Sequence, residues 1–461
     1  MAEPLTRKAM PRIYLTLFCA IISLTAFAQN ITGAWGGVLK VQGMQLRLVF
    51  NVTKTGHTYS STLDSPDQGA KGIPVSSTSF EHSTLKIAIA AAGIQYEGTL
   101  GPDSMFTGTF KQAGQSFPLT LTRQNAEVKI LRPQEPVKPY PYHEEDLTFE
   151  NKTASITLAG TLTLPKKDGV FPAVVLITGS GAQNRNEELM GHKPFLVLSD
   201  YLTRNGIAVL RFDDRGVGKS TGNFQAATSA DFATDVAAAV EYLKTRKEIS
   251  KKKIGLIGHS EGGVIAPMVA ASSKDVAFIV LMAGTGVSGD EILLAQQTLI
   301  GRASGIDSAT LAQNENINRK AFELIKSSTD VEKLKTDLAA LLQQNNVPEN
   351  AITAAVAQTT TPWMLYFIRH DPAPVLMKVK CPVLALNGSN DLQVPKENLM
   401  AIKKALTKGG NKHVTTKELP GLNHLFQESK TGSPTEYGTI EQTMSPAALA
   451  GILRWIEIQV K

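Results

Sequence analysis

The sequence predicts a doubly wound α/β sheet that carries a helical insertion and is preceded by a small all-β domain. Near-continuous apolar runs at residues 174–177, 207–212, 254–257 and 278–282 are typical of parallel strands buried on both faces. Segments with apolar residues at helical spacing separate these runs. The first quarter of the chain instead alternates apolar and polar residues over short stretches, which is typical of half-buried strands.

The composition is that of a folded protein with no basic patch. The chain has 461 residues, of which 42% are hydrophobic and 19% charged, so it is long enough for two or three domains. Its 47 Lys and Arg residues exceed its 41 Asp and Glu residues by six, and these charges are scattered. Basic clusters interleaved with aromatic residues, which nucleic-acid binders carry, are absent from the sequence. Composition therefore excludes nucleic acid as the expected partner.

Residues 1–28 have the organisation of a signal peptide. Arg7, Lys8 and Arg12 form a basic start, an apolar run follows, and small residues precede Gln29. The apolar run of about 15 residues is shorter than the ~20 that a membrane-spanning helix needs, so we expect no membrane span. We therefore expect an exported protein, periplasmic or extracellular. Its mature chain keeps Cys381 as its one cysteine and forms no intrachain disulfide.

Residues 29–130 are predicted to form a small β-rich barrel or sandwich. Apolar and polar residues alternate between residues 44 and 52, and later segments repeat that alternation between glycine-containing turns. We expect Trp35, Tyr96 and Phe106 in the core of this domain rather than on a ligand-binding surface. Its titratable residues form no cluster in the sequence.

A proline-rich segment separates this domain from the next. Four prolines fall within nine residues from Pro133 to Pro141, which marks residues 131–146 as an extended linker. The α/β domain is predicted over residues 147–461. Its alternation of strands and helices stops between about residues 287 and 374, where four helical segments follow one another, the last over residues 351–368. We interpret residues 287–374 as a helical cap over the carboxyl edge of the sheet.

The pattern Gly-x-Ser-x-Gly occurs twice, at Ser220 and at Ser260. Ser260 follows the apolar run 254–257 and directly precedes an alanine-rich helical segment. A nucleophilic serine on a sharp strand-to-helix turn needs that context, with glycine on both sides so that neighbouring backbones approach closely. Ser220 lies among charged and glycine residues with no helix directly behind it. The sequence therefore predicts Ser260 as a nucleophile.

A serine nucleophile needs a histidine base, and three histidines follow Ser260 in the chain. His424 comes shortly after a predicted strand that ends at Leu419, so it lies at the carboxyl edge of the sheet, where the Ser260 turn also lies. His370 falls within the helical insertion, and His413 precedes a strand. We therefore predict His424 as the base.

The base needs an acid to orient it, and in this type of sheet the chain order is Ser, acid, His. Asp391 is the one carboxylate in the segment that directly follows the predicted strand at residues 383–386. Asp371 is the rival, but no strand precedes it. We therefore predict Asp391 as the orienting acid.

Acyl transfer also needs two backbone N–H donors for the developing oxyanion. One is expected from Glu261, the residue after the nucleophile. The other is expected from the loop after the first central strand, where we favour the Ser180 amide over the Gly181 amide. The Glu261 side chain either holds a neighbouring loop or faces solvent.

Three segments together resemble the bacterial α/β-hydrolases: ITGSGAQNR at residues 177–185, FDDRGVGKS at 212–220 and GHSEGG at 258–263. More narrowly, they are similar to exported esterases of the serine-aminopeptidase-like branch, over about residues 147–461. The resemblance implies a Ser-Asp-His triad, no cofactor and hydrolysis of short acyl esters. Asn184 stands where that branch has Asp. We expect the run Asp213-Asp214-Arg215 to form a structural ion-pair turn.

We therefore expect a serine hydrolase that cleaves carboxylic esters of short to medium acyl chains through an acyl-enzyme on Ser260. An aminopeptidase or small-peptide hydrolase with the same triad stays open, as does an acyltransferase. A further alternative treats the β-rich domain as a surface- or glycan-binding module. We expect a small-molecule ester as partner, no metal and no cofactor. The sequence does not predict the oligomeric state.

Overall fold

The structure is a computed structural model that describes residues 30–41, 44–56, 58–66, 70–112, 115–124 and 131–461. The predicted signal peptide at residues 1–28 lies outside the described residues, as does the predicted end of the β-rich domain at residues 125–130. Among the described residues, no helix has both the length and the apolar character needed to cross a membrane.

The first nine strands form one antiparallel sheet. They are β1 (Gly33–Val41), β2 (Met44–Thr55), β3 (Thr58–Ser65), β4 (Ala70–Pro74), β5 (Ser77–Glu81), β6 (Thr84–Ile89), β7 (Ile94–Leu100), β8 (Met105–Gln112) and β9 (Gln115–Arg123). Their spatial order is β4-β3-β2-β1-β9-β8-β7-β6-β5. The predicted all-β N-terminal domain is therefore confirmed.

Aromatic side chains fill the core of this sheet. Trp35, Tyr96 and Phe106 are each at most 1% exposed, as the sequence predicts. Trp35 meets Phe106 edge-on with ring centroids 4.6 Å apart, and Phe50 stacks on Tyr96 at 5.8 Å. Burial removes the Tyr96 hydroxyl from water, and this hydroxyl donates to the carbonyl oxygens of Phe106 and Leu119, each at 3.3 Å.

The remaining eight strands form a second, mixed sheet. They are β10 (His143–Asn151), β11 (Ile156–Leu164), β12 (Phe171–Ile177), β13 (Ala208–Phe212), β14 (Ile249–His259), β15 (Phe278–Met282), β16 (Val383–Gly388) and β17 (Val414–Leu419). Their spatial order is β10-β11-β13-β12-β14-β15-β16-β17. Strands β10 and β11 pair antiparallel, as do β11 and β13, and the other pairs are parallel.

Helices cover both faces of this sheet, which makes it doubly wound. They are α1 (Pro194–Arg204), α2 (Ser229–Thr245), α3 (Gly262–Ser272), α10 (Asn398–Lys408) and α11 (Pro446–Gln459). Helices α1 and α11 pack on the face that carries Val174 and Leu176. Helices α2, α3 and α10 pack on the face that carries Val175 and Ile177. The apolar runs are continuous in sequence because both faces of each strand are buried.

Six helices lie between β15 and β16 and form the predicted helical insertion. They are α4 (Gly289–Ala303), α5 (Ser308–Ser327), α6 (Val331–Gln344), α7 (Glu349–Thr359), α8 (Pro362–Arg369) and the short α9 (Ala373–Leu376). The insertion has a core of its own, centred on Phe322, Ile325, Leu334 and Ile368. One prediction is wrong here: residues 351–368 form two helices. A residue before proline avoids the helical conformation, and Thr361 caps α8 instead of continuing α7.

The predicted linker is shorter than the sequence suggested. Strand β10 begins at His143, within the segment 131–146 that the sequence assigned to a linker. The acidic residues 144–146 lie in this strand, where basic side chains neutralise two of the carboxylates. Glu145 pairs with Arg246, and Glu144 pairs with Lys138. The proline-rich part is held by Arg132, whose guanidinium donates to the carbonyl oxygens of residues 190, 191, 438 and 440.

We predict that Gly262→Ala destabilises the protein and that Gly451→Ala does not. A Cβ on Gly262 would lie 2.2 Å from the carbonyl oxygen of Ile177, so strand or helix must shift. We expect a loss of about 3 kcal/mol in the free energy of unfolding. Gly451 lies inside α11, where a Cβ meets nothing closer than the flexible tip of Lys417 at 3.4 Å. Alanine there should stabilise by up to about 1 kcal/mol.

Chemical denaturation followed by circular dichroism measures both variants. Equal stability of the Gly262→Ala variant and the wild type would contradict the close backbone contact between α3 and β12.

Candidate active site

Ser260 lies on the turn between β14 and α3. Its φ is +53°, a left-handed backbone conformation that residues other than glycine rarely adopt. Its backbone N–H donates to the carbonyl oxygen of Met282 at 2.8 Å, which ties the turn to the end of β15. Gly258 completes the turn, because a Cβ there would lie 2.0 Å from the carbonyl oxygen of Gly262. The turn therefore holds a strained serine at the carboxyl edge of the sheet.

The other Gly-x-Ser-x-Gly serine has a structural environment. Ser220 is 7% exposed, its hydroxyl donates to the carbonyl oxygen of Asp213 at 2.7 Å, and it accepts from the Ala159 amide at 2.9 Å. The bond to Asp213 closes the loop after β13 on itself, and the bond from Ala159 fastens that loop to β11. No helix starts at this serine, so its hydroxyl is not presented on a strand-to-helix turn.

Asp391 and His424 meet in a buried hydrogen bond. Asp391 follows β16 and His424 follows β17, and His424 Nδ1 lies 2.9 Å from Asp391 Oδ2. The side chains are 0% and 6% exposed respectively. The other carboxylate oxygen of Asp391 accepts from the amides of Gln393 at 2.9 Å and Val394 at 2.8 Å. These bonds fix the carboxylate, and the carboxylate fixes the plane of the imidazole ring.

The rival residues lie elsewhere. His370 stacks on Tyr366 in the insertion, with ring centroids 5.6 Å apart, and lines a separate cavity of about 440 Å³. His413 is exposed ahead of β17. Asp371 accepts from the Ala373 amide at 2.9 Å, at the start of α9. None of the three is hydrogen-bonded to Asp391 or His424 in the described part of the chain.

His424 reaches the Ser260 turn through the neighbouring residue. The rings of His259 and His424 lie 4.8 Å apart, and His259 Nε2 bonds to the carbonyl oxygen of His424 at 2.9 Å. Within the residues that the structure describes, the Ser260 hydroxyl makes no side-chain hydrogen bond. Nucleophile and base are often loosely aligned in proteins without substrate and tighten in the complex.

The two amides predicted for an oxyanion belong to segments that lie close together. Gly179 lies beside the turn, since a Cβ on it would be 3.2 Å from Ser260 Cβ. The Gly179 amide is already engaged, donating to Glu187 Oε1 at 2.7 Å. Among the described residues, the amides of Ser180, Gly181 and Glu261 donate no hydrogen bond, which leaves all three open to a ligand.

The Glu261 side chain joins the turn to the helical insertion. It is 3% exposed and accepts from the Ser229 hydroxyl at 2.6 Å and from Trp363 Nε1 at 2.8 Å. Burial raises the pKa of Glu261 above its ordinary value, and these two bonds only partly oppose that shift. Of the two alternatives from the sequence, the contact with neighbouring segments is therefore the one observed.

The run Asp213-Asp214-Arg215 is structural, but its ion pairs are not internal to the turn. Asp213 pairs with Arg185 at 2.7 Å and Arg215 pairs with Asp235 at 2.8 Å. Asp214 accepts from Thr178 Oγ1 at 2.8 Å and from the Gln183 amide at 2.9 Å, and burial raises its pKa to about 7. The run therefore anchors the loop that carries Ser180.

Sequence reasoning missed two buried residues, Glu187 and His259. His259 Nδ1 lies 2.9 Å from Glu187 Oε1, and the residues are 6% and 4% exposed. His259 is visible in the motif beside Ser260, but nothing in the local sequence marks Glu187 as its partner. Among the described residues, no group of three or more His, Cys, Asp and Glu side chains is placed to hold a metal ion.

Comparison with known proteins finds similarity to an esterase and to an acyl transferase. Esterase EstD of Thermotoga maritima is 27% identical over 337 residues, which are 72% of this chain and 74% of EstD. An acyl transferase of Photorhabdus laumondii is 29% identical over 170 residues, 37% of this chain and 50% of that protein. Among solved structures, esterase Pf2001 of Pyrococcus furiosus aligns with a TM-score of 0.42 at 17% identity, covering 69% of this chain and 93% of that chain.

A family model described as X-Pro dipeptidyl-peptidase (S15 family) matches residues 151–419. The match begins at the last residue of β10 and ends at the last residue of β17, so it covers strands β11 to β17 and the insertion. The sheet is doubly wound and places a serine on a strand-to-helix turn, as in α/β-hydrolases. The chain is an α/β-hydrolase and belongs to the S15 family.

Proposed function

We propose that this protein is a serine hydrolase that cleaves carboxylic esters of short to medium acyl chains. The observation that carries the proposal is the buried bond of 2.9 Å between His424 and Asp391, at the sheet edge where strained Ser260 lies. A carboxylate that accepts a hydrogen bond from Nδ1–H keeps the proton on Nδ1 and leaves the lone pair on Nε2. His424 therefore has the tautomer that a general base for a serine hydroxyl needs.

The proposed reaction has two halves. Ser260 Oγ attacks the ester carbonyl carbon while His424 Nε2 takes its proton, and the tetrahedral intermediate then expels the alcohol, which leaves with that proton. Water attacks the acyl-enzyme in the same way, releasing the acid and restoring Ser260. Asp391 orients the ring and stabilises the imidazolium that forms in each half.

The amides of Glu261 and Ser180 are the proposed donors to the oxyanion. Neither amide donates a hydrogen bond within the described part of the chain. Both belong to segments that approach each other closely at Gly179 and Gly262. Backbone donors held before substrate arrives require no reorganisation during the reaction, and one such donor contributes roughly 2.7–4 kcal/mol.

The proposal favours an ester over a peptide as substrate. The identity to EstD supports an ester, whereas the S15 match supports a peptidase acting on X-Pro peptides. A peptidase of that kind needs a group to hold the amine of the substrate. The buried carboxylates beside the Ser260 turn already accept from the protein itself: Glu187 from Gly179 and His259, and Glu261 from Ser229 and Trp363.

The helical insertion and the start of the chain also have proposed roles. We propose that the insertion shapes the acyl pocket, supported by the bond from Trp363 to Glu261. We also propose that the protein is exported, supported by the basic and apolar organisation of residues 1–28.

We predict that Ser260→Ala abolishes ester turnover and that Ser220→Ala does not. Removing a serine nucleophile lowers kcat by roughly 10⁴–10⁶. Ser220→Ala loses two buried hydrogen bonds, so it should lower stability by about 1–3 kcal/mol while kcat stays within a few-fold of wild type. The assay compares p-nitrophenyl acetate, butyrate and octanoate with alanyl and Ala-Pro anilides.

The outcomes separate the alternatives. Anilide cleavage with a kcat/KM comparable to that of the esters would place a peptidase first. Acyl transfer to added alcohols in preference to water would indicate an acyltransferase. Ester turnover that survives in Ser260→Ala contradicts the proposed mechanism.

We predict that Asp391→Asn lowers kcat by roughly 10⁴, because an amide no longer holds His424 in the required tautomer and charge state. The matched control is Asp371→Asn. In the described part of the chain that carboxylate accepts one hydrogen bond, from the Ala373 amide at the start of α9. Steady-state kinetics on p-nitrophenyl acetate compares the two. Loss of less than tenfold in Asp391→Asn would mean that another acid orients the base.

We predict that Trp363→Phe raises KM for butyrate and octanoate esters about 3- to 10-fold with kcat for acetate nearly unchanged. Phenylalanine keeps the stacking on Phe367, at 5.1 Å between centroids, but removes one donor from buried Glu261. Trp455→Phe is the control, because its Nε1 bonds to Thr415 far from the turn. Equal KM values in the two variants would exclude the insertion from the acyl pocket.

A further inference from the structure

Glu187 and His259 form a buried pair beside the Ser260 turn. Glu187 lies in the loop between β12 and α1, and His259 is the last residue of β14. One carboxylate oxygen, Glu187 Oε1, lies 2.9 Å from His259 Nδ1 and accepts from the Gly179 amide at 2.7 Å. On the far side of the ring, Nε2 lies 2.9 Å from the carbonyl oxygen of His424. The pair therefore contacts all three segments that supply the proposed site.

The partners of His259 decide where its protons lie. A carbonyl oxygen only accepts, so Nε2 carries a proton. At Nδ1 the partner is a carboxylate oxygen that already accepts from an amide, and a second proton on the ring completes the bond. This arrangement fits an imidazolium paired with the Glu187 carboxylate. Burial opposes the charged ring, but attraction to Glu187 and the bonds to Glu187 and His424 outweigh it and raise the pKa of His259 above 6.5.

The surroundings add one further charge. Asp391, from the loop after β16, attracts the ring at longer range. The loop after β17 brings His424 and Phe426, whose ring lies 6.3 Å from that of His259. The adjacent strand β15 contributes Met282, which carries no charge. Glu261, at the start of α3, is engaged by Ser229 and Trp363. Glu187 is thus the one carboxylate bonded to His259 among the described residues.

Backbone strain coincides with the pair. Glu187 has φ +52°, Ser260 +53° and Phe426 +60°, one residue in each of the three segments. Conformations of this kind persist only where surrounding contacts hold them, and they gather at functional sites. The bond from Gly179 to Glu187 holds the first of these segments in shape, and the bond between His259 and Glu187 holds it against the second.

We propose that Glu187 and His259 are positioning residues. Their ion pair aligns three segments for ester hydrolysis: the loop after β12 that carries Ser180, the Ser260 turn, and the loop after β17 that carries His424. The inference rests on the function proposed above. Neither side chain touches substrate: Glu187 acts through the Gly179 amide, and His259 through the backbone of Ser260 and of His424.

The first test is Glu187→Gln. The amide has the same shape, but one oxygen cannot both accept from Gly179 and neutralise a charged ring. We expect kcat on p-nitrophenyl acetate to fall about 10- to 100-fold with KM nearly unchanged, as for a small misplacement of reacting groups. Asp290→Asn is the matched control, because it removes a buried carboxylate paired with Lys326 in the insertion. It should change kcat by less than twofold.

The second test is the pH profile, with its sign fixed by the raised pKa. The pair stabilises the folded protein fully below pH 6.5 and loses that contribution as pH rises through the raised pKa of His259. Wild-type kcat should therefore show an alkaline decline, which Asp290→Asn keeps and Glu187→Gln lacks. In wild type labelled with ¹⁵N-histidine, the Nδ1-bound proton of His259 should resonate far downfield and disappear over the same pH range.

The outcomes are distinct for the two proposals. Equal kcat in Glu187→Gln and Asp290→Asn, or an uncharged His259 at neutral pH, overturns the positioning role while leaving the triad intact. Ester turnover that survives in Ser260→Ala overturns the proposed function, and the positioning role with it. If Glu187→Gln does not fold, the wild-type spectrum and pH profile decide: titration of His259 without any decline in kcat overturns the proposal.

Discussion

Two glycines at the Ser260 turn leave no room for a side chain. A Cβ on Gly262 would lie 2.2 Å from the carbonyl oxygen of Ile177, and a Cβ on Gly258 would lie 2.0 Å from the carbonyl oxygen of Gly262. Strands β12 and β14 and helix α3 can meet at this distance only where side chains are missing. The contact forces Ser260 into a left-handed conformation at the sheet edge. The loop that carries Ser180 starts at the end of β12, and the same contact brings it beside the serine.

Buried polar bonds then hold what the glycines bring together. Asp391 is fixed by two amides and fixes His424, and Asp214 holds the loop of Ser180 through Thr178 and Gln183. Breaking one of these bonds would leave a buried polar group without a partner, which costs free energy. Each bond therefore restrains the two segments that it joins. The chemistry proposed here depends on loops, and within these loops Asp391 and His424 are buried.

The sequence predicts what depends on local order along the chain. Apolar runs locate the central strands, and the Ser-acid-His order locates Asp391 and His424 directly after two of them. Contacts between distant segments leave no such signal: Glu187 and His259 are 72 positions apart. The acidic run at residues 144–146 was assigned to a linker because its distant partner Arg246 is not visible locally. The break between α7 and α8 follows from Pro362, which is a local signal. The prediction of one helix over residues 351–368 gave more weight to helical spacing than to this proline.

If Ser260 alone is the activated nucleophile, a reagent that reacts with activated serines should label it stoichiometrically. The protein would be incubated with a fluorophosphonate, digested and mapped by mass spectrometry. We predict one label per chain, on Ser260, and no label in the His424→Ala variant. A label on Ser220 or any other residue, or labelling at full rate without His424, would contradict it.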